Sequence, residues 1–399
     1  MKSFLKNVFF KVKLLIKDSV ILNNSLAYFI FIILIILKKF GINIYVANIQ
    51  AARIGHLLTN IDQSIYYLDQ KEKTYKLLIA LEGKISNKHA VSVWKKNKKI
   101  LFFNFFFSRV VQYVLLNKIL EKFVLNWEII QSPFTRLYSS KKNFFIEEND
   151  IYLSNDEKET LKKEFICLHN RDPKYTREIA PDLNYFDYKN FLFDSFNLTI
   201  SEIKKNNQIP IRIGNVVEKE DENKIEGYLD MSGEKSKDYM DILLQYYSKF
   251  TIVGLSGISG ISTTFRKPLL YVNFTPININ QLSWVSQNSI IIPKLFFSRK
   301  ENRILKFKEI FNINFDIHQQ ENFLDKNGLD VLNNTEQEIL EAYKEMNNFI
   351  DNGLQHEQNN ELNKIFFSLF ADKEKSDFIL NKNKLRISSF FLKKYSHLI

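Results

Sequence analysis

Hydrophobic and polar residues along the chain follow three patterns in succession. The first 40 residues combine long apolar stretches with lysines, in a helical pattern. Between residues 41 and 310, apolar runs of strand length alternate with amphipathic stretches, which indicates parallel, doubly wound α/β domains. From residue 311 onward the apolar residues recur with a helical period and the sequence is rich in charged residues. We therefore predict N-terminal helices (1–40), two α/β domains (41–150 and 151–310) and a helical C-terminal extension (311–399).

The N-terminal pattern favours a membrane surface. Residues 2–18 predict an imperfect amphipathic helix with apolar side chains on one face and lysines on another. Residues 19–37 carry no charge, but Asn23-Asn24-Ser25 interrupt them, so the dense apolar run is only 26–37. That run is shorter than the roughly 20 residues that cross a bilayer. We predict a helix lying in the interface; a transmembrane helix and a buried soluble helix are the second and third interpretations.

Six apolar runs predict the strands of the two domains. They are Ile42–Val46 and Leu77–Leu81 in the first domain, and Phe165–His169, Ile209–Ile213, Phe250–Val253 and Leu269–Asn273 in the second. The polar, turn-rich residues 134–155 separate the domains. The basic and aromatic segment Val91–Val124 predicts a partly exposed helix, and Thr335 with Glu338 predicts a capping box.

The charge is concentrated in the N-terminal third. The 399 residues carry a net charge of +11, of which residues 1–40 contribute +6 and residues 84–122 contribute +8, leaving the remainder at −3. Both segments mix lysines with large apolar side chains, which favours an anionic membrane surface over nucleic acid as partner. The Lys-, Asn- and Ile-rich composition is also typical of an AT-rich genome, which accounts for part of the excess. The single Cys167 excludes a disulfide framework and a cysteine-based zinc site, and favours a reduced, intracellular chain.

A glycine cluster predicts an anion site. Gly254, Gly257 and Gly260 follow a predicted buried strand and precede a helix, together with Ser256 and Ser259. Glycines allow close backbone approach, and the helix start and the hydroxyls offer donors to a phosphate. The alternative is a tight strand–helix turn in which the glycines serve packing.

A second cluster, His169-Asn170-Arg171-Asp172, follows the strand Phe165–His169. Ligands of open α/β sheets bind at the carboxyl ends of the strands, and an arginine there can clamp a phosphate. The alternative is a surface pair of Arg171 and Asp172 beside a buried His169.

The first domain offers a candidate base. Gly55-His56 lies in the loop after the first predicted strand, and a neutral histidine there can accept a proton from an acceptor hydroxyl. Asp62 is the alternative base. A histidine that only holds its loop by a local hydrogen bond is an equal interpretation of His56.

Several common motifs are absent from the sequence. There is no Asp-x-Asp, no metal-ligand spacing among the six histidines and no G-x-S-x-G. We therefore expect a reaction without metal or cofactor at a phosphate-bearing ligand.

Several segments, in order, resemble a family of bacterial glycosyltransferases linked to surface-polysaccharide (O-antigen or capsule) synthesis. The resemblance covers roughly residues 50–346. It is carried by Arg53–Leu57, Phe165–Asp172 with Tyr175, Ile211–Gly214, Phe250–Gly257 with Lys267-Pro268, Thr275-Pro276, Ile292–Leu295, Asn334-Thr335, Glu338-Ile339 and Glu345-Met346.

The resemblance implies a GT-B fold, in which two Rossmann-like domains face a cleft. Residues 151–310 would bind a nucleoside-diphosphate sugar, and residues 41–150 a lipid-linked or surface-glycan acceptor at the cytoplasmic face of the bacterial inner membrane. The His-x-Arg element is also similar to one in GT-B fucosyltransferases. That likeness implies that Arg171 contacts the donor diphosphate. Lys189 departs from the family pattern, which has an arginine at this position. The substrate-binding candidates are Gly55, His169, Asp172, Tyr175, Arg212, Gly214, Ser256, Gly257, Ser259 and Gly260.

Two other functions fit the same sequence. A nucleotide-sugar 2-epimerase shares this fold and needs no membrane surface. A non-catalytic scaffold of a polysaccharide assembly complex would need no nucleotide.

Overall fold

The computed structural model describes most of the chain, in two compact units, residues 1–150 and 151–399. The described residues are 18–103, 113–125, 142–146, 153–175, 177, 187–218, 227–282, 284–313, 320–353, 361–382 and 384–399. The amphipathic helix predicted at 2–18 lies outside them, except for residue 18. Each unit is an α/β structure with a parallel sheet, as predicted.

The N-terminal apolar segment forms one continuous helix, Val20–Lys39 (α1), which includes the polar residues Asn23-Asn24-Ser25 as well as the dense apolar run. The Ser19 hydroxyl caps the helix by accepting from the Leu22 N–H at 3.3 Å. The side chains of Asn23 and Asn24 both accept from Asn117 Nδ2 at 2.8 Å. Because these amides bond outside the helix, they do not compete with its backbone.

The first unit contains a four-stranded parallel sheet in the order β3-β2-β1-β4. The strands are β1 (Ile44–Gln50), β2 (Lys76–Glu82), β3 (Ile100–Phe102) and β4 (Val124–Leu125). The helices are a π-helical turn His56–Asn60 that continues into α2 (Ile61–Lys71), and α3 (Lys88–Lys95).

The prediction that Val91–Val124 is helical is only partly confirmed. The segment holds the end of α3, the edge strand β3 and the start of β4, with residues 104–112 outside the described part. The Ile-Leu-Phe run pairs with Leu77–Ile79 of β2, which satisfies the backbone groups on that side and suits its branched and aromatic side chains.

The second unit is built on a seven-stranded parallel sheet in the order β14-β10-β9-β8-β5-β6-β7. The strands are β5 (Phe165–His169), β6 (Ile209–Arg212), β7 (Leu229–Asp230), β8 (Thr251–Val253), β9 (Leu269–Phe274), β10 (Ile290–Pro293) and β14 (Arg386–Ile387). From β5 the chain adds β6 and β7 on one side, then returns to add β8, β9 and β10 on the other. This is the strand order of the Rossmann fold, with its reversal between β5 and β8.

Helices and a small sheet complete the second unit. The helices are α4 (Asn155–Lys162), α5 (Asn197–Lys205), α6 (Asp238–Tyr247), α7 (Ser259–Thr264), α8 (Ile279–Leu282), α9 (Phe307–Phe311), α10 (Gln320–Lys326), α11 (Glu336–Asp351), α12 (Glu361–Ser368), α13 (Lys373–Asp377) and α14 (Ser389–Lys394). The small sheet is antiparallel and consists of β11 (Leu295–Ser298), β12 (Arg303–Ile304) and β13 (Leu329–Leu332).

The C-terminal extension is mostly helical, as predicted, but it also contributes strands. The Thr335 capping box is confirmed at the start of α11, since both of its reciprocal hydrogen bonds are present. β13 joins the small sheet, and β14 pairs with β10 at the edge of the main sheet. The extension is therefore part of the second unit's sheets.

Candidate functional site

Two of the sequence-predicted clusters follow neighbouring strands at the reversal point of the second sheet. β5 ends at His169, and β8, which pairs with it in parallel, ends at Val253. The segments His169–Asp172 and Gly254–Gly260 therefore begin at adjacent carboxyl ends. In open α/β sheets the strands on either side of such a reversal leave a crevice that binds ligands.

His169 is held as a neutral imidazole. Its Nδ1 lies 3.1 Å from the carbonyl oxygen of Ile213, so this nitrogen carries the proton and donates it. Burial lowers the pKa of His169 to about 4. Nε2 is then the acceptor nitrogen. Gly214 makes room for the ring, because its φ is +130° and a Cβ there would lie 2.9 Å from His169 Nδ1.

Arg171 is fixed by the segment of residues 187–191. Its Nε donates to Asn190 Oδ1 at 3.1 Å. The same segment is tied to the loop twice more, by Asn170 Nδ2 to the Phe191 carbonyl at 3.0 Å and by the Phe191 N–H to the Arg171 carbonyl at 3.3 Å. Because Nε is engaged and Nη2 is buried, a phosphate would first contact Arg171 at Nη1. Tyr175 lies beside this arginine, with its ring centroid 6.0 Å from Cζ.

Arg212 and Asp172 support the loop from inside. They form an ion pair of 3.9 Å in which both side chains are almost fully buried. Arg212 also lies over the ring of Phe193, 4.3 Å from its centroid. Asp172 accepts further from the backbone N–H groups of Lys174 at 2.9 Å and Glu218 at 3.1 Å. These contacts make both residues part of the loop's scaffold.

Lys294 belongs to this edge of the sheet, and the sequence reasoning did not assign it to the site. It directly follows β10 and is buried. Its Nζ donates to the carbonyl oxygens of Tyr188 at 2.7 Å and Asn190 at 2.8 Å. Burial, assisted by the charge of Arg171, lowers the pKa of Lys294 to about 7. The available signal was a lysine inside the apolar run Ile290–Phe297.

The glycine cluster is shaped largely by packing and by hydrogen bonds within its own turn. A Cβ on Gly254 would lie 2.6 Å from Phe191 Cε1, so this glycine lets the 187–191 segment approach. Ser259 Oγ donates to the Ser256 carbonyl at 2.7 Å, and the Gly260 N–H donates to the Gly257 carbonyl at 3.1 Å. The following helix, α7, has only six residues. The hydroxyl of Ser256 is buried and makes no hydrogen bond within the described part of the chain.

The candidate bases belong to the first unit. Gly55 precedes the π-helical turn, and its carbonyl accepts from Thr59 Oγ1 at 2.7 Å. His56 is half-buried, with Nδ1 3.3 Å from Asn60 Nδ2. Asp62 is buried, and its Oδ1 accepts from Asn143 Nδ2 at 3.0 Å. This hydrogen bond and its burial make Asp62 the less accessible of the two.

A second depression in this unit lies away from the predicted site. Its volume is about 730 Å³, and it is lined by Arg303, Ile304, Lys306, Lys308, Glu309, Asn312, His397 and Leu398. Arg303 is already paired there with Glu309, at 2.7 Å, and with Glu301. Over the described ranges, His, Cys, Asp and Glu side chains form no group of three that could hold a metal.

No family model and no curated protein matches this chain. The solved structures that resemble it include a glycosyl transferase family 9 protein from Veillonella parvula (8% identity, 76% of this chain and 96% of that one, TM-score 0.48). Others are the ADP-heptose LPS heptosyltransferase II of E. coli (11%, 77% and 100%, TM-score 0.40) and the S. aureus MnaA–UDP co-structure (13%, 89% and 97%, TM-score 0.32). Because these TM-scores are below 0.5, the fold assignment depends on the strand order above.

Proposed function

We propose that this protein is a glycosyltransferase that moves a sugar from a nucleoside-diphosphate sugar to a lipid-linked or surface-glycan acceptor, without a metal. One observation supports the donor assignment most directly. Arg171 and the Gly254–Gly260 loop follow the two strands at which the second sheet reverses, where Rossmann-like sheets bind nucleotides. The sequence resemblance to surface-polysaccharide glycosyltransferases supports the reaction.

The chemistry follows from the charge that develops in the reaction. The acceptor oxygen forms a bond to the anomeric carbon while the bond from that carbon to the diphosphate breaks, so the diphosphate leaves with added negative charge. A fixed guanidinium in a partly buried site stabilises that charge more than water does. The Ser256 hydroxyl, facing no protein partner among the described residues, is a second donor candidate. His56 remains our candidate for the base that takes the acceptor proton.

We also place the protein at the cytoplasmic face of the bacterial inner membrane. The two basic and apolar segments of the N-terminal third, and the long apolar helix α1, support this location. A lipid-linked acceptor would be confined to the same surface.

Arg171→Ala is the direct test of the donor site. We expect donor binding, measured by isothermal titration with a panel of nucleoside-diphosphate sugars, to weaken by about 10–100-fold, the scale of one lost charge-assisted contact. Sugar transfer should be lost while the circular dichroism spectrum stays unchanged. Arg299→Ala is the matched control, since this arginine is exposed and paired with Asp325.

Three outcomes would contradict the proposal. Full transfer by Arg171→Ala would remove the arginine from the mechanism. Interconversion of the donor sugar without any acceptor would identify an epimerase. Binding of no nucleotide or nucleotide sugar by the intact protein would favour the scaffold.

A further inference from the structure

The helix α1 is apolar on two opposite faces, and only one of them is covered. The inner face packs into the first unit through Ala27 and Leu34, which are both buried. They meet strand and loop residues of the unit's core, and Phe31 contacts the ring of Phe123 edge-on at 5.8 Å. The core residues around this face are Val46, Ala80, Val114, Leu115, Leu120 and Phe123.

The outer face of α1 is exposed along its whole length. Ile21 is 81% exposed, Phe29 is 64% exposed and Ile36 is 48% exposed. At 100° per residue these three point within about 80° of one another, away from Ala27 and Leu34. The exposed apolar side chains of this outer face are Ile21, Leu22, Tyr28, Phe29, Ile32, Ile33 and Ile36.

Lysines lie at the end of α1 and on a neighbouring segment of the first unit. Lys38 and Lys39 end the helix, and Lys118 and Lys122 are exposed on the segment that packs against it. The acidic side chains Asp18 and Glu121 are exposed nearby in the chain, so positive charge still predominates. An apolar surface on a helix that ends in lysines complements anionic lipid, whose headgroups attract the lysines while the acyl chains receive the apolar side chains.

The packing of the inner face argues against a spanning orientation. α1 has 20 residues, about 30 Å, which is long enough to cross a bilayer. Near its start, however, Asn23 bonds to Asn117, and near its end Leu34 lies in the core cluster. A spanning helix would have to leave the unit and expose that cluster to water, or carry the unit into the membrane.

We propose that the outer face of α1 is a lipid-binding surface that lies in the plane of an anionic membrane, while the inner face stays in the core of the first unit. This deepens the proposed membrane location by assigning it to particular residues. Its tests measure lipid binding, so they are independent of sugar transfer.

Vesicle flotation tests the surface. The full chain should float with vesicles of phosphatidylcholine and phosphatidylglycerol, and less with phosphatidylcholine alone. The double variant Phe29→Asp/Ile36→Asp should lower the bound fraction by about tenfold or more, because two apolar side chains that enter the lipid become negative charges. The control is Ile365→Asp, an isoleucine on another helix with 47% exposure, close to that of Ile36. Equal loss in the control, or no loss in the double variant, would overturn the proposal.

The orientation can be measured separately. Ile21→Cys and Ile36→Cys, each labelled with a nitrobenzoxadiazole dye, lie about 22 Å apart along the helix. Dithionite added outside the vesicles should bleach both labels if the helix lies in the plane. Protection of one label would identify a spanning helix. A different outcome would assign the outer face to a second copy of the chain. In that case the unmodified chain would not bind vesicles, but would form dimers without lipid that Ile36→Asp dissociates.

Discussion

Three cations at one sheet edge, Arg171, Arg212 and Lys294, differ in the groups that surround them. Arg212 has a buried carboxylate and an aromatic ring, and Arg171 has the amide oxygen of Asn190. Lys294 donates to two backbone carbonyls, which stabilise a cation less than a carboxylate does. Burial and the charge of Arg171 lower the pKa of Lys294 to about 7, and the two carbonyls do not offset them. By holding residues 188 and 190, Lys294 positions the amide that holds Arg171.

Lys294→Met should therefore weaken donor binding without changing any group that contacts the donor. We expect a loss of about tenfold, since the 187–191 segment loses two hydrogen bonds. The unmodified protein should bind the donor more weakly as pH rises through about 7, where Lys294 loses its charge. The Lys294→Met variant should lack this pH dependence of donor binding. If Lys294 only supported the fold, the pH dependence would remain in the variant. Titration calorimetry at pH 6 and 8, with exposed Lys308→Met as control, measures both effects; an unchanged pH step in Lys294→Met would contradict the assignment.

At the scale of secondary-structure elements, Gly254 determines how closely the end of β8 and the 187–191 segment pack. Its backbone has no positive φ, so the requirement is space for the ring of Phe191 rather than conformational freedom. The turn after β8 thereby also sets the position of the segment that holds Arg171.

Gly254→Ala should lower the free energy of unfolding by about 1–3 kcal/mol, the usual cost of an added methyl group in a packed position. Phe191→Leu in the same chain should recover part of this loss, because it removes the atom that the new Cβ would meet. Denaturant unfolding of the two single variants and the double variant measures the coupling. Strict additivity would argue against the contact.

The elements that could be predicted from the sequence are those whose own residues determine them. The strand Phe165–His169 has the predicted bounds, and the Thr335 capping box begins α11 as predicted, since each depends on residues that are close together in the chain. Ile100–Phe102 was missed because a three-residue edge strand depends on pairing with β2. Lys294 was missed for a similar reason: it lies 104 residues from Asn190, and only the strand order brings them together.

At the scale of the whole molecule, one buried acid couples stability to pH. Asp241 in α6 is buried and accepts from Ser236 Oγ at 2.9 Å, while its Oδ1 has no hydrogen-bond partner within the described part of the chain. Burial raises its pKa from 3.8 to about 7. A raised acid pKa means that the folded state holds the proton more tightly. The protonated carboxyl group therefore contributes its whole stabilisation below pH 3.8, its ordinary pKa. This contribution is lost as the pH rises through about 7, the pKa in the folded state.

Asp241→Asn should therefore stabilise the protein at high pH and change little at low pH. We expect an increase in the apparent Tm at pH 8, corresponding to roughly 1–3 kcal/mol, that shrinks towards pH 4. Exposed Glu234→Gln is the control. Thermal melts across this range measure the difference, and a variant that is less stable than the unmodified protein at pH 8 would show that the carboxylate is needed.

The two-sided helix α1 has a practical consequence for isolating a soluble form. Removing residues 1–40 would take away the proposed lipid-binding residues and also uncover the core residues Val46, Ala80, Leu120 and Phe123, so the shortened chain should aggregate. Residues 1–40 are therefore part of the first unit's fold, and loss of function after their deletion would not show whether lipid binding is needed. Polar substitutions restricted to Ile21, Phe29 and Ile36 would remove the affinity for lipid and leave the first unit intact.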